Sequence, residues 1–103
     1  MPTPTPRIDV PHQALSDLCR VWKVRRLSLF GSVLRDDFRD ESDVDVLVEF
    51  QPGCTPGLIA MDGLRRALSR MFGGRPVDLV TLPALHPLLR DEIMGSLIEQ
   101  FAA

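Results

Sequence analysis

No stretch of this 103-residue chain reaches the ~18 consecutive apolar residues of a membrane-spanning helix. The Pro/Thr-rich opening has no apolar core of the kind a signal peptide carries. Only two cysteines are present, Cys19 and Cys54. They have neither metal-ligand spacing nor the partners of a disulfide framework, so both are expected as free thiols in a reducing cytoplasm. A basic excess is missing as well: 12 Lys and Arg stand against 14 Asp and Glu, for a formal charge of −2 and a pI near 5.6. A surface that tracks phosphates needs the opposite balance, so direct nucleic-acid binding is not expected. The local clusters Arg20, Lys23, Arg25, Arg26 and Arg65, Arg66, Arg70 read as solvated helix faces and rims. Tyrosine is absent altogether, which leaves the chain no phenolic hydroxyl of its own.

With 45% apolar residues the chain can bury one modest core, and it leaves no room for a second catalytic domain. Residues 1–11 hold four prolines, at positions 2, 4, 6 and 11, and read as an extended arm ahead of a single domain over 12–103. Leu15, Leu18, Cys19 and Trp22 recur at helical spacing and predict a helix over 12–24. A strand over 26–30 follows, then a charged helix or loop through Asp40, and a second strand over 43–50. The Pro/Gly-rich stretch 51–57 is a loop. Leu58, Ile59, Leu64, Leu68, Met71 and Phe72 predict a helix over 58–72 with these residues on or near one face, ended by Gly73-Gly74. Residues 77–81 read as a third strand. Pro87 suits the first turn of a last helix carrying Leu88, Leu89, Ile93, Met94, Leu97, Ile98 and Phe101. The expected fold class is α/β (α+β): a small mixed sheet of three to four strands flanked by helices.

The chemistry lies between the first two strands. After the apolar run Leu27-Ser28-Leu29-Phe30 comes Gly31-Ser32, and ten residues later Asp43 and Asp45 open a second apolar run, Val46-Leu47-Val48. In a strand, alternation puts Asp43 and Asp45 on one face, about 7 Å apart. Two carboxylates about 6 Å apart at an effective dielectric of about 20 repel by about 3 kcal/mol, a cost that a divalent cation removes. Mg²⁺ is held by one or two carboxylates together with substrate phosphates. Gly31 lets the backbone approach such a phosphate and Ser32 adds a hydroxyl; a short helix starting at Ser32 would aim its free amides at the same anion. Ser32 also suits a plain helix cap. To bring Gly31 and Asp43 to one metal, the first two strands must be antiparallel neighbours, whereas the helix between the second and third suits a parallel crossover. Asp78, flanked by Val77 and Leu79-Val80, is then the natural third ligand, or a turn cap near a strand end. Arg35 could steady phosphates through its fork of donors, or pair with Asp36, Asp37 or Asp40.

Gly-Ser, ten residues, then Asp-x-Asp between two strand-like runs resembles the signature of the DNA polymerase beta-like nucleotidyltransferase superfamily. Arg35, Ser42-Asp43-Val44-Asp45 running into Leu47-Val48-Glu49-Phe50, and Pro76-Val77-Asp78-Leu79-Val80 extend the likeness to its minimal nucleotidyltransferase (MNT) branch, over most of residues 13–100. The resemblance implies the polymerase beta-like nucleotidyltransferase fold and in-line attack of a hydroxyl on the alpha-phosphate of ATP, with two Mg²⁺ ions, or Mn²⁺ in their place. It implies that Asp43 and Asp45 bridge the metals, that Asp78 completes the site, and that Gly31, Ser32 and Arg35 bind the nucleotide. It further implies an antitoxin that transfers AMP to a tyrosine of a HEPN ribonuclease toxin, in a hetero-oligomer with that toxin. Without a tyrosine the chain cannot be its own tyrosine target, which favours an acceptor in trans. The same fold would also suit a non-catalytic antitoxin that neutralises by binding, or a transferase modifying a small molecule such as an aminoglycoside. One departure stands beside the arginine, where the branch often has Gly and this chain has Asp36.

His12 and His86 each neighbour a proline at a helix start and read as structural. Arg7 and His12 satisfy the Arg-x4-His spacing of HEPN ribonucleases, but Pro11 forbids the helix interior that motif occupies, so the match is chance.

Overall fold

The computed structural model describes residues 8–35, 38–39 and 41–103. The first seven residues of the expected arm, together with Asp36, Asp37 and Asp40, lie outside them. Where the arm is described, Ile8 and Val10 pack against the core.

Helix α1 (His12–Val21) buries Leu15 and Cys19, which stand one helical turn apart. It ends sooner than its periodicity predicts. Lys23 adopts a left-handed φ of 59°, which turns the chain and lets β1 (Val24–Phe30) begin two residues before the expected strand. A bulge between Val24 and Arg26 reconciles the odd spacing of Val24, Leu27 and Leu29, all of which reach the core. A 3₁₀ turn, Gly31–Leu34, follows.

Strand β2 (Val44–Phe50) sends Val44, Val46 and Val48 into the core. By alternation Asp45, Leu47 and Glu49 project from the other face. Helix α2 (Leu58–Met71) buries Leu64 and Leu68, and Phe72 continues the stripe. Leu58 and Ile59 depart from the inward face expected of them and are 91% and 90% exposed. At 100° per residue they lie about 120° and 140° around the helix from Leu64, so the turn that buries Leu64 turns them outward. Strand β3 (Val77–Thr81) occupies the expected residues.

The last helix is shorter than predicted. Helix α3 (Pro87–Gly95) is capped by His86, whose Nδ1 accepts the Leu88 N–H at 3.1 Å. It stops at Gly95-Ser96, where the Ser96 hydroxyl donates to the Glu92 and Ile93 carbonyls. Ile98 and Phe101, expected on its apolar face, belong instead to a fourth strand, β4 (Ile98–Ala102). This strand pairs antiparallel with β1 and sets Phe101 opposite Leu27, covering backbone groups that β1 would otherwise present as an open edge.

The sheet order is β3-β2-β1-β4. β1 and β2 are antiparallel, while β2 and β3 are parallel with α2 as the crossover. The antiparallel pair is the one that bringing Gly31 and Asp43 together required, and the parallel pair is the one expected from the helix between the second and third strands. No helix among the described residues is long and apolar enough to cross a membrane.

Candidate active site

One end of the sheet gathers three chain segments. β1 leaves Gly31 there, and β2 and β3 both begin there. Across the ladders Phe30 lies opposite Asp45, and Asp45 opposite Asp78. Neighbouring strands lie about 4.8 Å apart and paired residues share a face, so Asp45 and Asp78 stand side by side. Asp43, one residue before β2, is the third member of the group. The Val44 N–H donates to the Pro76 carbonyl at 2.8 Å, which aligns the two strand starts that carry Asp45 and Asp78.

The Gly-Ser turn is fastened to the aspartates. Gly31 has φ 74°, a conformation that only glycine adopts at little cost. A Cβ at Gly31 would run into Asp45 Oδ2 and lie 3.2 Å from Asp45 Cγ. Glycine is therefore demanded twice, by the backbone angle and by the carboxylate against it. The Ser32 N–H donates to the Asp45 carboxylate, and the Ser32 hydroxyl donates to the Asp43 carbonyl at 3.3 Å. The short helix considered at Ser32 is one 3₁₀ turn, because Arg35 is already extended at φ −112° and ψ 160°. The turn thus presents a few backbone amides rather than the N-terminus of a full helix.

Asp45 carries the electrostatic signature of the site. Its carboxyl is pushed above the usual Asp range first by burial, then by the charges of Asp78 and Asp43; the Ser32 amide and Arg35 pull the other way. Asp78 and Asp43 are thus close enough to oppose the charge of Asp45, and Arg35 is close enough to relieve it in part. Among the described residues, no three His, Cys, Asp or Glu side chains form a ready-made cage for a metal ion. The donor set nevertheless fits a hard cation that brings phosphate oxygens with it, since one or two carboxylates then suffice.

Every residue singled out by the motif is found here: Gly31, Ser32, Asp43, Asp45 and Asp78 together, with Arg35 at the rim. The alternative partners considered for Arg35, namely Asp36, Asp37 and Asp40, fall outside the described residues. Arg75 was not singled out by the sequence, yet it reaches the segment leading into Asp43. Cys19 is buried and its thiol is pushed up to about 11, so it is packing rather than chemistry. His12 lies within 3.2 Å of Gln100 and His86 caps α3, in keeping with their structural reading.

Comparison with known proteins places this geometry. The chain is 39% identical over 75 residues to the protein adenylyltransferase MntA of Thermococcus cleftensis, covering 73% of each chain. It is 37% identical over 76 residues to a Methanocaldococcus jannaschii protein provisionally named a protein adenylyltransferase, covering 74% of this chain and 78% of that one. A solved structure described as a provisionally assigned minimal nucleotidyltransferase superposes with a TM-score of 0.68 at 36% identity, covering 84% of this chain and 86% of that one. A toxin–antitoxin complex with AMP-PNP superposes with a TM-score of 0.70 over 90% of this chain and 74% of that one. At 23% identity that last likeness concerns the fold alone. The family model described as "Nucleotidyltransferase domain" matches residues 12–99, from the first helix into the fourth strand. That match takes in well over half of the chain, and the chain belongs to the nucleotidyltransferase domain family.

Proposed function

We propose that the chain is a protein adenylyltransferase antitoxin, which transfers AMP from ATP to a tyrosine hydroxyl of a cognate HEPN-type ribonuclease toxin. The observation that carries this reading is the fastening of the Gly31-Ser32 turn onto Asp45 beside Asp78. It is supported by the names of the relatives at 37% and 39% identity. A solved complex of a tri-AMPylated Shewanella oneidensis HEPN toxin with its MNT antitoxin shares the fold, with a TM-score of 0.63 at 23% identity over 89% of this chain and 70% of that one.

In this reading Asp43 and Asp45 hold Mg²⁺, or Mn²⁺ in its place, together with the triphosphate. Bound there, the cation supplies charge neutralisation for the attacking and departing oxygens. Asp78 accepts the proton of the acceptor hydroxyl as its oxygen bonds to the alpha-phosphorus. The bond from that phosphorus to the bridging oxygen breaks, and pyrophosphate leaves past Gly31, Ser32 and Arg35. An AMP group adds bulk and negative charge to the toxin, which repels an RNA phosphate.

A second reading, neutralisation by occlusion alone, rests on the apolar residues that α3 leaves in solvent, Leu88 at 85% and Leu89 at 51% exposure. Nucleotide dependence separates the two readings.

Adding Mg²⁺ and ATP at about a hundred times the dissociation constant is expected to stabilise the folded chain by about 2.7 kcal/mol. For a domain of this size that is a rise in melting temperature on the order of 10 °C. The Asp43→Asn, Asp45→Asn double variant should fold and lose the response. Equal shifts in wild type and double variant, read by differential scanning fluorimetry, would sink the assignment of the aspartates.

A further inference from the structure

Arg75 is the next-to-last residue of the connection from α2 to β3, and its guanidinium reaches back to the segment that joins the Gly-Ser turn to the aspartates. Its Nη1 donates to the Arg39 carbonyl at 3.1 Å, and the guanidinium carbon lies 5.0 Å from the centroid of the Phe38 ring. The Arg39 carbonyl also accepts the Ser42 N–H at 3.0 Å, and the Arg39 N–H donates to the Ser42 hydroxyl at 3.0 Å. Arg39 and Ser42 thus close a small turn, and the next residue is Asp43.

Arg75 is itself well anchored. Its carbonyl accepts the Ser69 hydroxyl of α2 at 2.6 Å, and the carbonyl of the following Pro76 accepts the Val44 N–H. One short segment therefore grips the chain on both sides of Asp43, through the side chain of Arg75 before it and the backbone of Pro76 after it. Phe38 packs against the core as well, so the ring beneath the guanidinium is a fixed surface.

We infer that Arg75 is a positioning residue, which holds Phe38 and Arg39, and through Arg39 also Ser42, so that Asp43 stays beside Asp45 and Asp78 against the repulsion of like charge. Without nucleotide, like charge sets Asp45 against Asp43, and the Ser32 hydroxyl on the Asp43 carbonyl holds one side of that residue while the Arg75 contacts hold the chain before it. An arginine suits the task because its planar head can lie over an aromatic face while an edge N–H donates to a carbonyl. A lysine can supply one donor and the charge, but not the flat stack. The importance of Asp43 rests on the proposed transferase reading; the mechanical role of Arg75 does not.

The test is amide hydrogen exchange at Ser42 in the full chain without nucleotide, followed by transfer kinetics. Arg75→Met keeps the aliphatic stem and removes the donor and charge. Loss of about one hydrogen bond of local protection should speed Ser42 exchange roughly tenfold, and Arg75→Lys should restore most of it. Phe38→Leu removes the ring and should also speed exchange, which keeps the inference testable should Arg75→Met not fold. In AMP transfer, Arg75→Met should lower kcat on the order of ten- to a hundred-fold, the scale of a small misplacement at a reacting centre. The KM for the protein acceptor should be unchanged, because the role inferred for Arg75 runs through Asp43. Unchanged Ser42 exchange in Arg75→Met would overturn the inference. A wild-type chain that transfers no AMP would instead overturn the transferase reading, and the exchange result would still decide the role of Arg75.

Discussion

Asp45→Asn is expected to lower AMP transfer by roughly a thousand-fold, the upper end for loss of one transition-state contact, while raising the melting temperature of the nucleotide-free chain. The two effects share a cause. In the folded chain, burial and the charges of Asp78 and Asp43 raise the Asp45 pKa above the ordinary value of 3.8. A carboxyl raised in this way keeps its proton in the folded state after the unfolded chain has released it. Stability therefore falls as pH rises from the ordinary Asp value through the raised one, and the full deficit is present at neutral pH. Asparagine keeps an Oδ1 that can accept the Ser32 amide and carries no charge, so it should remove both the deficit and its pH dependence. Thermal melts from acid to neutral pH check this: the wild type should lose stability relative to Asp45→Asn as pH rises. A variant that is less stable than wild type at neutral pH would contradict the electrostatic account.

Gly31→Ala should be the most damaging small substitution in the chain. A left-handed conformation costs a non-glycine residue about 1–3 kcal/mol, and here the added methyl also meets the Asp45 carboxylate. At about 4–8 °C per kcal/mol for a domain of this size, the melting temperature should fall by about 10 °C or more. Transfer should fall at least as far as in Asp45→Asn, since whichever group yields, either the turn or the carboxylate is displaced. The double variant Gly31→Ala, Asp45→Gly separates the two causes. Removing the carboxylate relieves the collision and leaves the backbone strain, so the double variant should melt above Gly31→Ala and below wild type. Strict additivity of the two single effects would mean that turn and carboxylate do not touch.

The candidate site was legible because its signal is local. Gly31-Ser32, Asp43-Val44-Asp45 and Val77-Asp78 each sit at a strand end whose alternation can be read from a few residues; bringing Gly31 and Asp43 together calls for antiparallel first strands, and the helix between the second and third suits a parallel crossover. Beyond that the sequence misleads where two periods fit the same residues. Ile98 and Phe101 continue the helical spacing of α3, and only pairing with distant β1 makes them part of a strand. Leu58 and Ile59 are apolar at the start of a helix whose buried stripe lies elsewhere around the axis. The partners of polar groups were hidden for another reason: the Ser32 hydroxyl on the Asp43 carbonyl and Arg75 over Phe38 are tertiary contacts with no spacing rule behind them.

The central claim is that this chain acts by transferring AMP, and turnover tests it most directly. The partner toxin would be incubated with a tenth as much of the chain, with and without Mg²⁺ and ATP, and then followed by intact mass and by ribonuclease activity. The account predicts that nearly all of the toxin gains one or more AMP masses and is silenced only when nucleotide is present, and that Asp43→Ala abolishes both effects. Neutralisation that requires one antitoxin per toxin, proceeds without ATP and survives Asp43→Ala, with no mass added to the toxin, would contradict it.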